Sequence, residues 1–121
     1  MQAVAACSDG APGGPQLPEC GNKVTLAVTD GTSPEFSWTP ECRLLFVLVE
    51  AMSGEDQWAV ITPGANGIAP PVRYGVVPDG AVEASGPAAL DVGTSYRLVV
   101  ARWIGPDPTD EVLIAARFFT P

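Results

Sequence analysis

The side chains best able to do chemistry in this 121-residue chain are carboxylates. Asp107, Asp110 and Glu111 share one turn, GPDPTDE at 105–111. Calcium takes clustered oxygens of this kind, but it asks for six or more. Pro106 and Pro108 favour the simpler reading of a solvated hairpin loop. Glu55-Asp56 and Asp79, each in a turn, read the same way. A glycoside hydrolase needs two carboxylates across a cleft, and no spacing here implies a cleft. Histidine is absent, which removes the commonest general base and the commonest metal ligand together. The single lysine, Lys23, lacks Ser-x-x-Lys spacing, and there is no Gly-x-Ser-x-Gly elbow and no phosphate-cradling loop ahead of a helix. Cys7, Cys20 and Cys42 show no Cys-x-x-Cys spacing, so zinc is not expected. The expectation is a protein that is not an enzyme and carries neither cofactor nor metal.

Composition limits what else the chain can be. One domain of this length can close a two-layer core. Thirteen Gly and thirteen Pro break a 46% hydrophobic sequence into short apolar runs, with no sustained helical period; that points to all-β. Fourteen acidic against six basic residues give a net charge of -8, which repels nucleic acid and anionic headgroups. The longest apolar run, 44–49, is far short of the roughly 20 residues of a membrane-spanning helix.

The elements follow in order. Val24, Leu26 and Val28 alternate in a first strand, and Asp30-Gly31 turns the chain. Residues 35–39 form a second strand with Phe36 and Trp38 on one face. If these strands are antiparallel neighbours, Cys20 before the first lies close to Cys42 after the second. A bridge there closes a loop of about 20 residues and stabilises by roughly 3 kcal/mol; it also implies an oxidising compartment. Residues 43–50 (RLLFVLVE) are apolar on both faces. Residues 57–61 make a short strand, Val72, Tyr74 and Val76 another, and 81–89 read as loop. The strands at 96–103 and 112–120 complete a set of about seven.

The stretch 90–102, LDVGTSYRLVVAR, organises the rest. Gly93-Thr94 is a turn, and Tyr96, Leu98 and Val100 then alternate with Arg97, Val99 and Ala101. Leu90-x-x-Gly93-Thr94-x-Tyr96 feeding a strand resembles the tyrosine corner of fibronectin type III and immunoglobulin-like domains, whose Tyr hydroxyl bonds upstream backbone. The resemblance covers residues 23–121 and implies a two-sheet antiparallel sandwich. It lacks an Arg-Gly-Asp tripeptide, so integrin-type adhesion is not implied.

In that fold the third, sixth and seventh strands lie side by side. With Tyr96, Leu98 and Val100 in the core, Arg97, Val99, Ala101 and Trp103 face outward. On the last strand the outer set is either Val112, Ile114, Ala116 and Phe118 or Leu113, Ala115, Arg117 and Phe119, and the set with Arg117 is preferred. On the third, Leu45, Val47 and Val49 stand against Leu44, Phe46 and Leu48, and either set is apolar. The interface candidates are therefore Leu45, Val47, Val49, Arg97, Val99, Trp103, Leu113, Arg117 and Phe119. Apolar residues punctuated by Arg are interface composition.

Val4-Ala5-Ala6-Cys7 resembles a bacterial lipobox, with Cys7 the lipidation candidate and residues 1–22 a signal-peptide remnant and Gly/Pro-rich tether. The expected protein is thus an extracytoplasmic, membrane-tethered accessory subunit that docks on an envelope or membrane protein of an energy-transducing, photosynthetic or secretory complex. The alternative is a glycan-binding or adhesion module using Trp58 or Trp103.

Overall fold

A computed structural model describes residues 17–121; Cys7 and the lipobox-like segment lie outside the described residues. Eight strands run as β1 (Thr25–Val28), β2 (Glu35–Thr39), β3 (Phe46–Ala51), β4 (Asp56–Ile61), β5 (Val72–Arg73), β6 (Val82–Ser85), β7 (Tyr96–Trp103) and β8 (Glu111–Phe119). They form an all-β sandwich of two antiparallel sheets, β1-β2-β5 and β6-β4-β3-β7-β8. The third strand and the last two lie side by side, as expected.

Period-two alternation builds the core. Leu26, Phe36, Trp38 and Val72 from the small sheet meet Val47, Val49, Trp58, Val60, Leu98 and Val100 from the large one. Burying a single side chain of this size is worth about 1.5–3 kcal/mol, so the core is the main source of stability. Polar ends of buried aromatics find partners: Trp38 Nε1 donates to Cys42 O at 2.8 Å and Trp58 Nε1 to the Glu83 carboxylate at 2.7 Å.

The corner closes as its sequence implies. Gly93 sits at φ +84°, where a side chain would be strained, and the Asp91 N–H donates to Tyr96 Oη at 2.8 Å. Leu90 and Tyr96 are both buried. Tyr96→Phe is expected to cost about 2 kcal/mol, because it strands the Asp91 N–H without an acceptor. An unchanged midpoint in a urea titration of that variant would show that the bond contributes nothing.

Cys20 and Cys42 are joined, with Cα atoms 4.8 Å apart. The first two strands are antiparallel neighbours, Thr25 opposite Thr39, which brings the flanking cysteines together. The folded unit begins earlier than residue 23: Glu19 bridges to Arg43, and Arg43 N–H donates to Pro18 O at 2.8 Å. Asn66, buried in the loop after β4, holds this end. Its side-chain amide donates to Glu19 Oε1 and to Trp103 O, and its Oδ1 accepts the Trp103 N–H.

Two strand boundaries differ from expectation. The Val72, Tyr74, Val76 alternation yields only a two-residue strand, with Val76 exposed. Residues 82–85, read as loop, form β6 against β4. An exposed, bulged edge strand of Val-Glu-Ala-Ser has no apolar alternation to announce it.

Candidate functional site

The outer faces of the two sheets have opposite chemistry. On the small sheet Thr25 stands opposite Thr39, Ala27 opposite Ser37, and Glu35 opposite Arg73, with which it forms an exposed ion pair at 3.3 Å. That is the polar surface an antiparallel sheet ordinarily turns to water. The large sheet does the reverse. Its strand register lines up Val82, Ile61, Phe46, Ala101 and Leu113 in one row, a residue from each of the five strands. A second row runs Ser85, Ala59, Leu48, Val99 and Ala116. The third row is polar at its centre: Asp56, Glu50, Arg97 and then Phe118.

Exposure rises toward the margins of this face. Val99 and Ala101 on β7 are covered by their neighbours, whereas Val82 is 52% exposed, Leu113 63% and Phe118 61%. A depression of about 210 Å³ lies between, lined by apolar residues that include Phe46, Leu48, Ala59 and Ile61 and by the carboxylates Asp56 and Glu111. Neither residues 57–61 nor the 65–71 connection folds over this face. Residues 57–61 belong to β4 and supply Ala59 and Ile61 to it, while the 65–71 connection sends Ile68 into the core and bonds to Leu44 at the end of the sheet.

The structure sorts the interface candidates. Arg97, Val99, Trp103 and Leu113 lie on the outer face. Val47 and Val49 do not: both are fully buried core residues, opposite Val60 and Trp58 on one side and Val100 and Leu98 on the other. Leu45 is also fully buried, at a bend whose N–H donates to Ala101 O and whose carbonyl accepts from Thr62 N–H. The outward residues of β3 are instead Phe46, Leu48 and Glu50. Glu50 carried the signal, since a charge at the end of an apolar run belongs to the outward parity.

On β8, Arg117 and Phe119 are inter-sheet residues. Phe119 packs edge-on against Phe36 at 5.8 Å and tilts against Tyr96, and Arg117 Nη1 donates to Leu26 O at 2.6 Å. A bulge at Ile114 is the reason: Leu113 pairs with Ala101 but Ala115 with Val100, so parity changes along the strand. Leu113 and Phe118 consequently share the outer face despite belonging to different expected sets. Nothing in Ile114-Ala115-Ala116 marks that extra residue.

The ion pair on the face lies in its third row. The Arg97 guanidinium grips Glu50 Oε1 through Nε at 2.6 Å and through Nη2. Glu50 is nearly buried, and its partner compensates its lost hydration. On the opposite side of the large sheet, burial is the main cause that pushes the Tyr74 phenol up to about 12. Tyr96 nearby adds to it, and the bond to Ala88 O opposes it. With a folded pKa above the unfolded value of about 10, this group's contribution is intact below pH 10 and lost as pH rises toward 12.

The aromatic residues of the glycan reading part company. Trp58 is fully buried and bonded to Glu83, so it offers no surface. Trp103 is partly exposed, its Nε1 donating to Asp107 O at 2.6 Å. In the acidic turn, Asp110 spends its carboxylate on the Asp107 N–H at 3.1 Å, and among the described residues no three acidic, His or Cys side chains converge on a cation site. No helix among the described residues is long and apolar enough to cross a membrane.

No protein-family model matches this sequence, and neither a curated protein nor a solved structure shows significant similarity to it.

Proposed function

We propose that this protein is a non-enzymatic docking module, an extracytoplasmic accessory subunit that binds another envelope or membrane protein through the outer face of its five-stranded sheet. One observation carries the reading. Two rows cross that sheet that are apolar except for Ser85 at one edge, while the outer face of the companion sheet is polar. Apolar surface of this kind, exposed at Val82, Leu113 and Phe118 along its margins, marks an interaction site, and its composition, aliphatic and aromatic with one paired Arg, is that of an interface. The Cys20–Cys42 bridge supports an oxidising compartment. The Asp91–Tyr96 bond and the adjacency of β3, β7 and β8 support the finer likeness to a fibronectin type III or immunoglobulin-like domain. The lipobox-like 4–7 segment supports a lipid tether at Cys7. The kind of complex, whether energy-transducing, photosynthetic or secretory, follows by analogy of fold and compartment alone.

The test is gentle detergent solubilisation of native membranes, affinity capture of this chain, and mass spectrometry of the capture with intact mass of the chain itself. A stoichiometric membrane-protein partner and an acylated Cys7 are the expected results. The partner is expected to disappear with Leu113→Glu, whose melting temperature stays within a few degrees of the parent. Recovery of a lone, unacylated monomer would sink both docking and tether.

A further inference from the structure

The large sheet ends on one edge unlike the others. β6 at its far side is four residues long, bulged, carries Glu83 and is followed by Gly86-Pro87. In the small sheet the edges are β1 with four residues and β5 with two. Short, charged, bulged or proline-flanked edges are the usual protections against pairing with another chain. β8 runs nine residues with no proline and no lysine. Its one arginine is turned to Leu26 O. Its bulge at Ile114 bends only the first part, and residues 115–119 pair regularly with β7.

Among the described residues, no backbone hydrogen bond reaches residues 111–119 from the side away from β7. Alternate N–H and C=O groups along that side are thus a template for a further strand. The same strand carries the open ends of all three outer-face rows, Leu113, Ala116 and Phe118. Acidic residues stand at both ends of the edge. Asp107, Asp110 and Glu111 lie where β8 begins. Asp91 lies where it ends, beside the Gly93 N–H that donates to Pro121 O.

We infer that β8 receives an extended segment of the partner protein by strand addition, and that this segment alternates apolar side chains along one face and carries Lys or Arg at its flanks. The inference rests on the docking reading and adds to it the mode of binding and the chemistry of the partner. The added strand makes main-chain bonds along β8, while its outward apolar residues continue the rows past Leu113, Ala116 and Phe118 and cover them. Basic flanks meet the acidic ends of the edge. A second copy of this chain would instead bring another charge of -8 to an edge already flanked by acids.

The experiment uses the full chain and three synthetic peptides at millimolar concentration: an alternating Val-Thr hexapeptide with two lysines at each end, its glutamate-flanked counterpart, and the lysine-flanked peptide with a central proline. Amide hydrogen exchange is read residue by residue by NMR. The lysine-flanked peptide is expected to slow exchange at alternate positions of 111–119 by about tenfold or more. The other two are expected to leave it unchanged. Equal protection by the glutamate-flanked peptide would overturn the basic partner. Shifts confined to Phe46, Leu48 and Ala59, with β8 amides unaffected, would overturn strand addition and leave face docking standing. Slowed β8 exchange in a dimer without peptide would assign the edge to a second copy. No response to any peptide would end the inference, whereas docking itself stands or falls on the captured partner and its loss in Leu113→Glu.

Discussion

Replacing Cys20 and Cys42 together by alanine is expected to lower the free energy of unfolding by about 3 kcal/mol, and reductant should do the same to the parent protein. The two cysteines are 22 positions apart, and both are buried. Part of the effect belongs to the unfolded chain, which gains the freedom of an open loop. Part belongs to the folded end of the sandwich. Cys20 N–H donates to Arg43 O, and Cys20 O accepts from Arg102 Nη1 at 3.2 Å. Arg102 Nε has no partner among the described residues, and Nη1 bonds the carbonyl of Cys20. Freed of the bridge, residues 17–20 are held, among the described residues, by their bonds to Arg43, the Glu19 contact to Asn66 and the Arg102 bond to Cys20 O. Urea unfolding of the double variant, compared with the parent in reductant, reads the sum. Exchange at Arg43 and Asn66 reads the local part. A shift below about 1 kcal/mol would mean that the β1–β2 ladder and Asn66 already hold the loop, leaving the bridge a passive mark of its compartment.

What the sequence made legible was local chemistry or a consequence of simple pairing. The corner could be read because Gly93, Tyr96 and Leu90 sit within seven residues and act on each other directly. The cysteine pair could be read because two short antiparallel strands bring their outer flanks together. Inside and outside could be read for β7, where Tyr96 fixes the parity, and for β2, where Phe36 and Trp38 alternate with polar residues.

The same alternation is silent in β3, where Val47, Leu48 and Val49 are all apolar, and only Glu50 breaks the tie. It misleads in β8, where a single inserted residue at Ile114 transfers Leu113 to the face that Phe118 shares. Asn66 was beyond reach for a different reason. An Asn in a Gly/Pro-rich loop looks like turn chemistry, and its pairing with Trp103 spans 37 positions. The outer face was therefore legible as a kind of surface, while its membership had to come from register.

Val47→Glu should leave no folded protein, while Phe118→Glu should leave the fold intact and abolish docking. Val47 has no exposed surface and stands between Val60 and Val100 in the middle of the large sheet. A carboxylate there loses its hydration with no cation to replace it, since Arg117 and Arg102 are committed to backbone carbonyls. The penalty of several kcal/mol is comparable to the roughly 5–15 kcal/mol that holds a domain folded. Phe118 is 61% exposed at the margin of the sheet, so a glutamate there meets water; its effect on stability is expected within about 0.5 kcal/mol. A bound partner would desolvate that charge, and capture should fail. Val99→Glu cannot separate these outcomes. Val99 faces outward but is only 4% exposed, wedged between Leu48 and Ala116, so a charge there disturbs the sheet and the docking surface together. Circular dichroism of the purified variants, set beside capture of the partner, decides the matter. A folded Val47→Glu protein would reverse the assignment of faces on β3. A stable Phe118→Glu protein that still captures its partner would move the docking site off this sheet.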